Sequence, residues 1–333
     1  MRRLVLLTLF IPVFVLTGVA AAGGTTINLV AFSTPQPVMQ TLISKWTNTH
    51  AGAGVTFTQS YGPSGSQTKA IIAGLPADIA FLSNGLDIGS LVSADLVQKN
   101  WSTKLPEGGI AANSVVAFVV RPGNPKHIRT WADLTKSGVQ VVTPDPFPSG
   151  GAKWNVLAAY GAQRKMGKSD KQATAYVKAL FKNVVQQDTS ASSAMQTFLS
   201  GKGDVLLTYE SEAYTALAAG KSLHIVLPPQ TMLIQLPMVP LKTAPAKAMA
   251  FIKYCHSYAA QKLFTRAGYR PVIKHLLDSK LLAVWKRRFQ PGGHLTFRID
   301  DKIFGGWGKA NSVWFSPNGR MLKIEQAVGG PTS

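Results

Sequence analysis

The sequence predicts an α/β protein built as two lobes. Three observations carry this. Apolar, β-branched runs alternate with segments of helical period along almost the whole chain. Two of those runs lead into Ser/Gly turns that open helices, Gly62-Pro63-Ser64-Gly65-Ser66-Gln67 and Pro148-Ser149-Gly150-Gly151-Ala152. The 333 residues, about 311 once a leader of 22 is subtracted, exceed one typical domain and suit two.

In chain order, the pattern predicts a strand over Thr26 to Phe32, a helix over Val38 to Asn48 and a strand over Val55 to Ser60. A helix over Gln67 to Ala73 and a strand over Asp78 to Leu82 complete a first unit with a largely parallel sheet. Val115 to Val120 reads as a strand long enough to cross between lobes. A second unit follows, with a strand over Val139 to Val142, helices over Lys153 to Gln163, Lys171 to Phe181 and Ser193 to Leu199, a strand over Asp204 to Thr208 and a helix over Ala213 to Ala219. The strand Thr231 to Val239 carries the chain back. Helices over Ala246 to His256, with Pro245 at its start, and Ala259 to Ala267 follow. The expected division is 1–22 leader, 23–117 lobe 1, 118–236 lobe 2, and 237–333 a return to lobe 1 with C-terminal helices.

The leader reads as a signal peptide. Met1-Arg2-Arg3 is a positive start, Leu4 to Leu16 is almost wholly apolar, and Ala20-Ala21-Ala22 fits cleavage after Ala22. Pro12 interrupts the apolar core, which is short for a membrane span. The single cysteine, Cys255, excludes an intramolecular disulfide and reads as a buried thiol. Formal net charge is +20, and +18 without Arg2 and Arg3. Residues 242–333 hold 16 Lys/Arg against 4 Asp/Glu, so +12 sits there. The basic residues are scattered apart from Lys286-Arg287-Arg288 and no zinc-finger spacing occurs, so nucleic acid is not an expected partner. A solvated basic face, with some steering of anions, is the expectation.

A Ser/Gly turn at a helix start aims free backbone N–H groups and a hydroxyl at one spot, under the positive end of the helix dipole. That makes an anion site without a formal cation. Alone, either turn is an ordinary N-cap. Two of them on either side of a crossing strand point to two jaws on one oxyanion. Neither turn contains Asp or Glu, which suits a fully ionised anion and disfavours hydrogen phosphate, which still carries a donor. Asp145 and Glu210 are the nearest acids and read as orienting or capping groups.

Several runs carry a family resemblance. They include Ser60-Tyr61-Gly62-Pro63-Ser64-Gly65-Ser66-Gln67, Lys99-Asn100-Trp101, Arg121-Pro122-Gly123-Asn124-Pro125-Lys126-His127-Ile128 and Trp131-Ala132-Asp133-Leu134. The strongest block is Thr143-Pro144-Asp145-Pro146 with Ser149-Gly150-Gly151-Ala152-Lys153-Trp154-Asn155. Gly203-Asp204-Val205-Leu206, Glu210-Ser211-Glu212-Ala213, Tyr269-Arg270-Pro271 and Phe304-Gly305-Gly306-Trp307 follow. In order and extent the chain resembles the periplasmic sulfate/thiosulfate-binding proteins of ABC uptake systems. The resemblance implies a two-lobed periplasmic binding protein of type II that clamps a dehydrated oxyanion between its lobes and presents it to a membrane ABC permease, as a monomer in the periplasm, with no cofactor, no metal and no catalysis. It implies Ser64 as a hydroxyl donor on lobe 1, Ser149, Gly150 and Gly151 as a helix-start nest on lobe 2, and a backbone donor at Ala191. Tyr209 falls where sulfate binders usually have tryptophan, and Ser33 where they usually have aspartate, with Thr34 as the alternative match. Molybdate binders use a tyrosine in a broadly similar place, so a molybdate or tungstate binder of the same fold is the alternative.

Other classes find little support. Gly167-Lys168-Ser169 lacks the spacing of a phosphate loop, the six histidines show no close metal pairing, and no Gly-x-Ser-x-Gly elbow occurs. Tyr209 and Tyr214 do not read as the paired tyrosines of a ferric-ion binder. An exported anion sensor or a processor of sulfate esters is the remaining alternative. Trp131, Trp154 and Trp307 read as packing residues, and Lys126, His127 and Arg270 as exposed or structural.

Overall fold

The computed structural model describes residues 24–272 and 295–329. The leader with its cleavage site, Lys286-Arg287-Arg288, His275 and His294 lie outside the described residues. The strands are β1 (Thr25–Phe32), β2 (Val55–Gly62), β3 (Ile79–Phe81), β4 (Ile110–Val120), β5 (Val141–Pro144), β6 (Val184–Asp188), β7 (Val205–Tyr209), β8 (His224–Val226), β9 (Gln230–Pro240) and β10 (Leu295–Phe297). The helices are α1 (Gln36–Thr47), α2 (Ser64–Ile72), α3 (Gly85–Ser93), α4 (Trp101–Lys104), α5 (Gly150–Lys165), α6 (Asp170–Lys182), α7 (Ala191–Leu199), α8 (Glu210–Ala218), α9 (Ala246–Cys255), α10 (Tyr258–Arg266), α11 (Gly306–Trp314) and α12 (Arg320–Val328).

The strand order is β2-β1-β3-β9-β4-β7-β5-β6. The two flanks are parallel, β2-β1-β3 on one side and β7-β5-β6 on the other. The flanks bear out the largely parallel sheet that the pattern suggests, while the middle, where the two long strands cross, is antiparallel. The reason lies in β4 and β9. Each is 11 residues long, and they pair with each other only over Ile110 to Val115 and Leu233 to Pro237. Beyond that, β4 continues along β7 through Val116 to Val120, and β9 continues along β3 through Met238 to Pro240. The two strands run in opposite directions between the flanks, so each joins its flank against the parallel grain.

Both crossing strands are nearly all buried, which explains their continuous apolar runs. Trp46 anchors the first flank through edge contacts with Phe57 and Phe251, and Trp131 anchors the second against Phe118. Cys255 is fully buried, and burial pushes its thiol far up, as expected of an inert core group. Helix α6 begins with a capping box between Ser169 and Gln172. Helices α9 and α10 pack beside the first flank. The C-terminal segment behaves differently. Arg320 makes a two-pronged pair with Asp170, Lys165 meets Asp301 at 2.9 Å, and Trp314 stands 5.0 Å from Tyr160. These contacts lay residues 301–320 on α5 and α6 of the second flank, while Trp307 reaches back to Gly85 on α3 of the first.

Candidate functional site

Six connections leave the C-terminal ends of strands β1, β2, β3, β5, β6 and β7 and turn into helices. Their first residues converge on one cavity lined by Phe32, Ser33, Gly62, Pro63, Ser64, Ser83, Ser149, Gly150, Gly151, Ser190, Ala191 and Tyr209. Ligand crevices of open α/β sheets form outside the carboxyl ends of their strands. The cavity holds about 10 Å³, room for about one water-sized sphere. Surface clefts elsewhere reach about 400 Å³. A site this tight suits a compact ligand and not a drug-sized one.

All seven residues singled out in the sequence line this cavity. Ser33 follows β1, and its neighbour Thr34 instead faces a separate groove with Tyr269, so of the two alternatives Ser33 is the cavity residue. Ser64 opens α2 behind Pro63, whose missing N–H costs a helix start nothing. Ser149 caps α5. Its oxygen accepts weakly from the Ala152 N–H at 3.4 Å. Gly150 and Gly151 are the first residues of that helix, so their N–H groups have no partner within it. Ala191 opens α7 behind Ser190, whose oxygen accepts from the Ser193 N–H at 3.1 Å. Tyr209 ends β7 and caps α8.

The two glycines are required by contact. A β-carbon on Gly150 would stand 1.8 Å from Ser83 Oγ and 2.4 Å from Asn84 Nδ2, and one on Gly151 would meet the Tyr209 ring at 2.9 Å. The flanks also bond directly across the seam. Trp154 Nε1 donates to the Ser83 carbonyl at 2.7 Å, the Gly65 N–H to the Pro148 carbonyl at 3.0 Å, and Ser192 Oγ to Ser33 Oγ at 3.1 Å. Trp154 is buried, as a packing residue should be, and in addition ties α5 to the opposite flank.

Besides Asp145 and Glu210, the acids named from the sequence, a third carboxylate reaches the first turn. Asp87, in the first turn of α3, lies 2.5 Å from Ser64 Oγ and accepts from Asn84 Nδ2 at 2.9 Å. Ser64 Oγ also accepts from the Ser83 N–H at 2.9 Å. While Asp87 is ionised, Ser64 gives its proton to the carboxylate. With Asp87 protonated, the Ser64 proton is free for the cavity. Burial pushes the Asp87 carboxyl up, opposed by the Lys153 ammonium and by the bonds from Ser64 and Asn84. Lys153 is itself buried, which pushes its ammonium down against Asp87 and Asp145. Burial holds Tyr209 neutral by pushing its phenol well up. Glu212, in the first turn of α8, is pushed up to about 7 by burial, against its bonds with Thr208 and Ser192.

Reading the chain alone misses Ser83, Ser190, Asn84 and Asp87. A signal for them exists. Ser83-Asn84-Gly85 follows the predicted strand ending at Leu82, and the Asn84 side chain accepts from the Asp87 N–H as an N-cap. The acids near the turns act as anticipated. Asp145 accepts from the Phe147 N–H at 2.8 Å and shapes the turn before α5, and Glu210 pairs with Arg270 at 2.7 Å.

Comparison with known proteins agrees with this geometry. A family model described as bacterial extracellular solute-binding protein matches residues 27–270. The sulfate-binding protein of Synechococcus elongatus is 36% identical over 313 residues, covering 91% of this chain and 87% of its own length. The thiosulfate-binding protein of Pseudomonas aeruginosa is 33% identical and covers 84% of this chain and 85% of its own. Among solved structures, the sulfate-binding protein SubI from Mycobacterium tuberculosis superposes with a TM-score of 0.80 at 38% identity, covering 86% of this chain and 98% of that one. Its strand ends, its cavity and these matches together make the chain a member of the bacterial extracellular solute-binding protein family.

Proposed function

We propose that this protein captures sulfate, or thiosulfate, outside the cytoplasmic membrane and hands it to an ABC permease. The observation that carries the reading is the cavity: backbone N–H groups from the starts of α5 and α7, with hydroxyls of Ser33, Ser64, Ser149 and Tyr209, converge on a space for one compact ion. Among the described residues, no lysine or arginine side chain lines it. Removing a dianion from water is costly, and converging charge-assisted hydrogen bonds offset that cost. In this reading Gly150, Gly151 and Ala191 donate from the backbone, Ser149 and Tyr209 donate hydroxyl protons, Ser33 donates mainly from its backbone, and Ser64 donates when Asp87 is protonated. The segments 23–117 and 118–236 act as the two jaws, hinged where β4 and β9 part. The leader is removed after Ala22, the mature protein works as a monomer, and it turns over no substrate.

Calorimetric titration of the dialysed mature protein with sulfate, thiosulfate, molybdate and phosphate tests this. Tightest binding of sulfate or thiosulfate is expected. Tighter binding of molybdate moves the assignment to the alternative oxyanion, and no binding of any of the four overturns it.

A further inference from the structure

Residues 242–333 carry +12 of the net charge, and none of the residues lining the oxyanion cavity belongs to that segment. Part of the segment builds a second concavity. Where residues 301–320 lie on α5 and α6 they leave a cleft of about 390 Å³, within the roughly 300–1,000 Å³ typical of small-molecule sites. Phe304, Val313 and Trp314 give it an apolar lining. Four cations line it as well, Lys302, Lys309 and Arg320 from the C-terminal segment and Arg164 from α5, against one acid, Asp170. The cations are not equally engaged. Arg320 donates to both oxygens of Asp170, at 2.7 and 2.8 Å, and so neutralises it. Arg164 stands 4.0 Å from Asp170 and gives one N–H to the Tyr160 hydroxyl at 3.1 Å, while its Nε is buried with no hydrogen-bond partner. Lys302 and Lys309 are exposed, and neither forms a salt bridge among the described residues. Asp300 and Asp301, beside Lys302 in the chain, pair with Arg298 and Lys165.

We propose that this cleft binds a small organic anion, an apolar body bearing a carboxylate, sulfonate or phosphate head. Arg164, Lys302 and Lys309 take the head, and the body covers Phe304, Val313 and Trp314. Cations without the apolar lining suit an inorganic anion, and the apolar lining without cations suits a neutral molecule. The cleft holds both. It is separate from the oxyanion cavity, because Gly150 and Arg164 stand at opposite ends of α5, about 21 Å apart at 1.5 Å per residue. What the cavity holds therefore does not decide what the cleft holds. A bound anion bridges α5 to the C-terminal segment, beside the ion pairs Arg320–Asp170 and Lys165–Asp301 that already fasten it.

The test is calorimetric titration of the mature protein with 2-naphthalenesulfonate, with and without excess sulfate. Methanesulfonate supplies the head alone and 2-naphthol the body alone. The probe is expected to bind with a Kd below about 1 mM, at least about 10-fold tighter than either half, and equally well in excess sulfate. Arg164→Gln, and Lys302→Gln combined with Lys309→Gln, are each expected to weaken it about 10-fold, folding being checked by circular dichroism. Both lysines are exposed, so the double variant guards against an Arg164→Gln protein that fails to fold. Methanesulfonate binding as tightly as the probe reduces the cleft to an inorganic-anion patch, and 2-naphthol doing so removes the role of its cations. Either result overturns the proposal. So does displacement of the probe by sulfate, which puts it in the oxyanion cavity, or an unchanged affinity in the double variant.

Discussion

The two walls of the cavity are built from different materials. On the second flank, Ser149, Gly150, Gly151 and Ala191 offer mainly backbone N–H groups at two helix starts, set in place by the helices themselves. On the first flank, Ser64, Ser83, Asn84 and Asp87 form a side-chain network in which each hydroxyl is already committed to a neighbour. Backbone donors cannot change sign or turn away, so in the function we propose the second wall would recognise negative charge and little else. The first wall, where the Ser64 proton depends on Asp87, and Tyr209 across the seam are where we propose that selectivity among anions lies.

The sharpest way to break this comparison is to crowd the backbone wall. Gly150→Val places atoms where Ser83 Oγ and Asn84 Nδ2 now sit, so the flanks cannot meet. Sulfate affinity should fall at least ~100-fold, several unmade hydrogen bonds at roughly 1–3 kcal/mol each, while the fold survives. Unchanged affinity by calorimetry in a folded variant removes the nest from the site.

The next effect comes from a buried carboxyl beneath the second wall. Glu212 is raised from 4.5 to about 7 by burial. In the unfolded chain it ionises first, so stability present below about pH 4.5 is lost as the pH climbs to about 7, amounting to about 3 kcal/mol. Glu325, also raised to about 7, acts with the same sign. Denaturant unfolding should show Glu212→Gln losing less stability than the wild type over this window. Parallel curves would place the Glu212 charge elsewhere.

Trp154→Phe leaves the Ser83 carbonyl without its 2.7 Å donor. A loss of about 1–3 kcal/mol in stability is expected from the orphaned carbonyl. A shift of the unfolding midpoint too small for that would mean water or another donor replaces the indole. The smallest change belongs to Ser33→Ala, which removes the hydroxyl bonded to Ser192 and keeps the backbone N–H. Sulfate affinity should stay within about fivefold, under 1 kcal/mol. A larger loss would make Ser33 a side-chain donor and add a further hydroxyl to those of Ser64 and Ser83 on the first wall.

Much of the second wall was legible in the chain. A β-branched run followed by Ser149-Gly150-Gly151 announces a helix start whose meaning is local, since the cap, the free N–H groups and the dipole arise within one turn. Ala191 entered only through the resemblance, although Ser190 before it caps α7 by the same local rule. The first wall was legible only at Ser64. Asp87 lies 23 residues further on, and nothing local says that the two side chains meet. The antiparallel centre of the sheet was hidden for a similar reason, because β4 and β9 read as ordinary buried strands and their direction relative to the flanks is set by the path of the whole chain.

The sequence by itself determined the alternation of strands and helices, the helix starts that free backbone donors, and the apolar crossing strands, because each depends on neighbours a few residues apart. Only the tertiary structure decided that six strand ends share one cavity, that Ser33 and not Thr34 faces it, and that a buried carboxylate stands behind Ser64. Those outcomes depend on groups brought together from distant parts of the chain, where a distance of one or two ångströms decides which oxygen holds the proton.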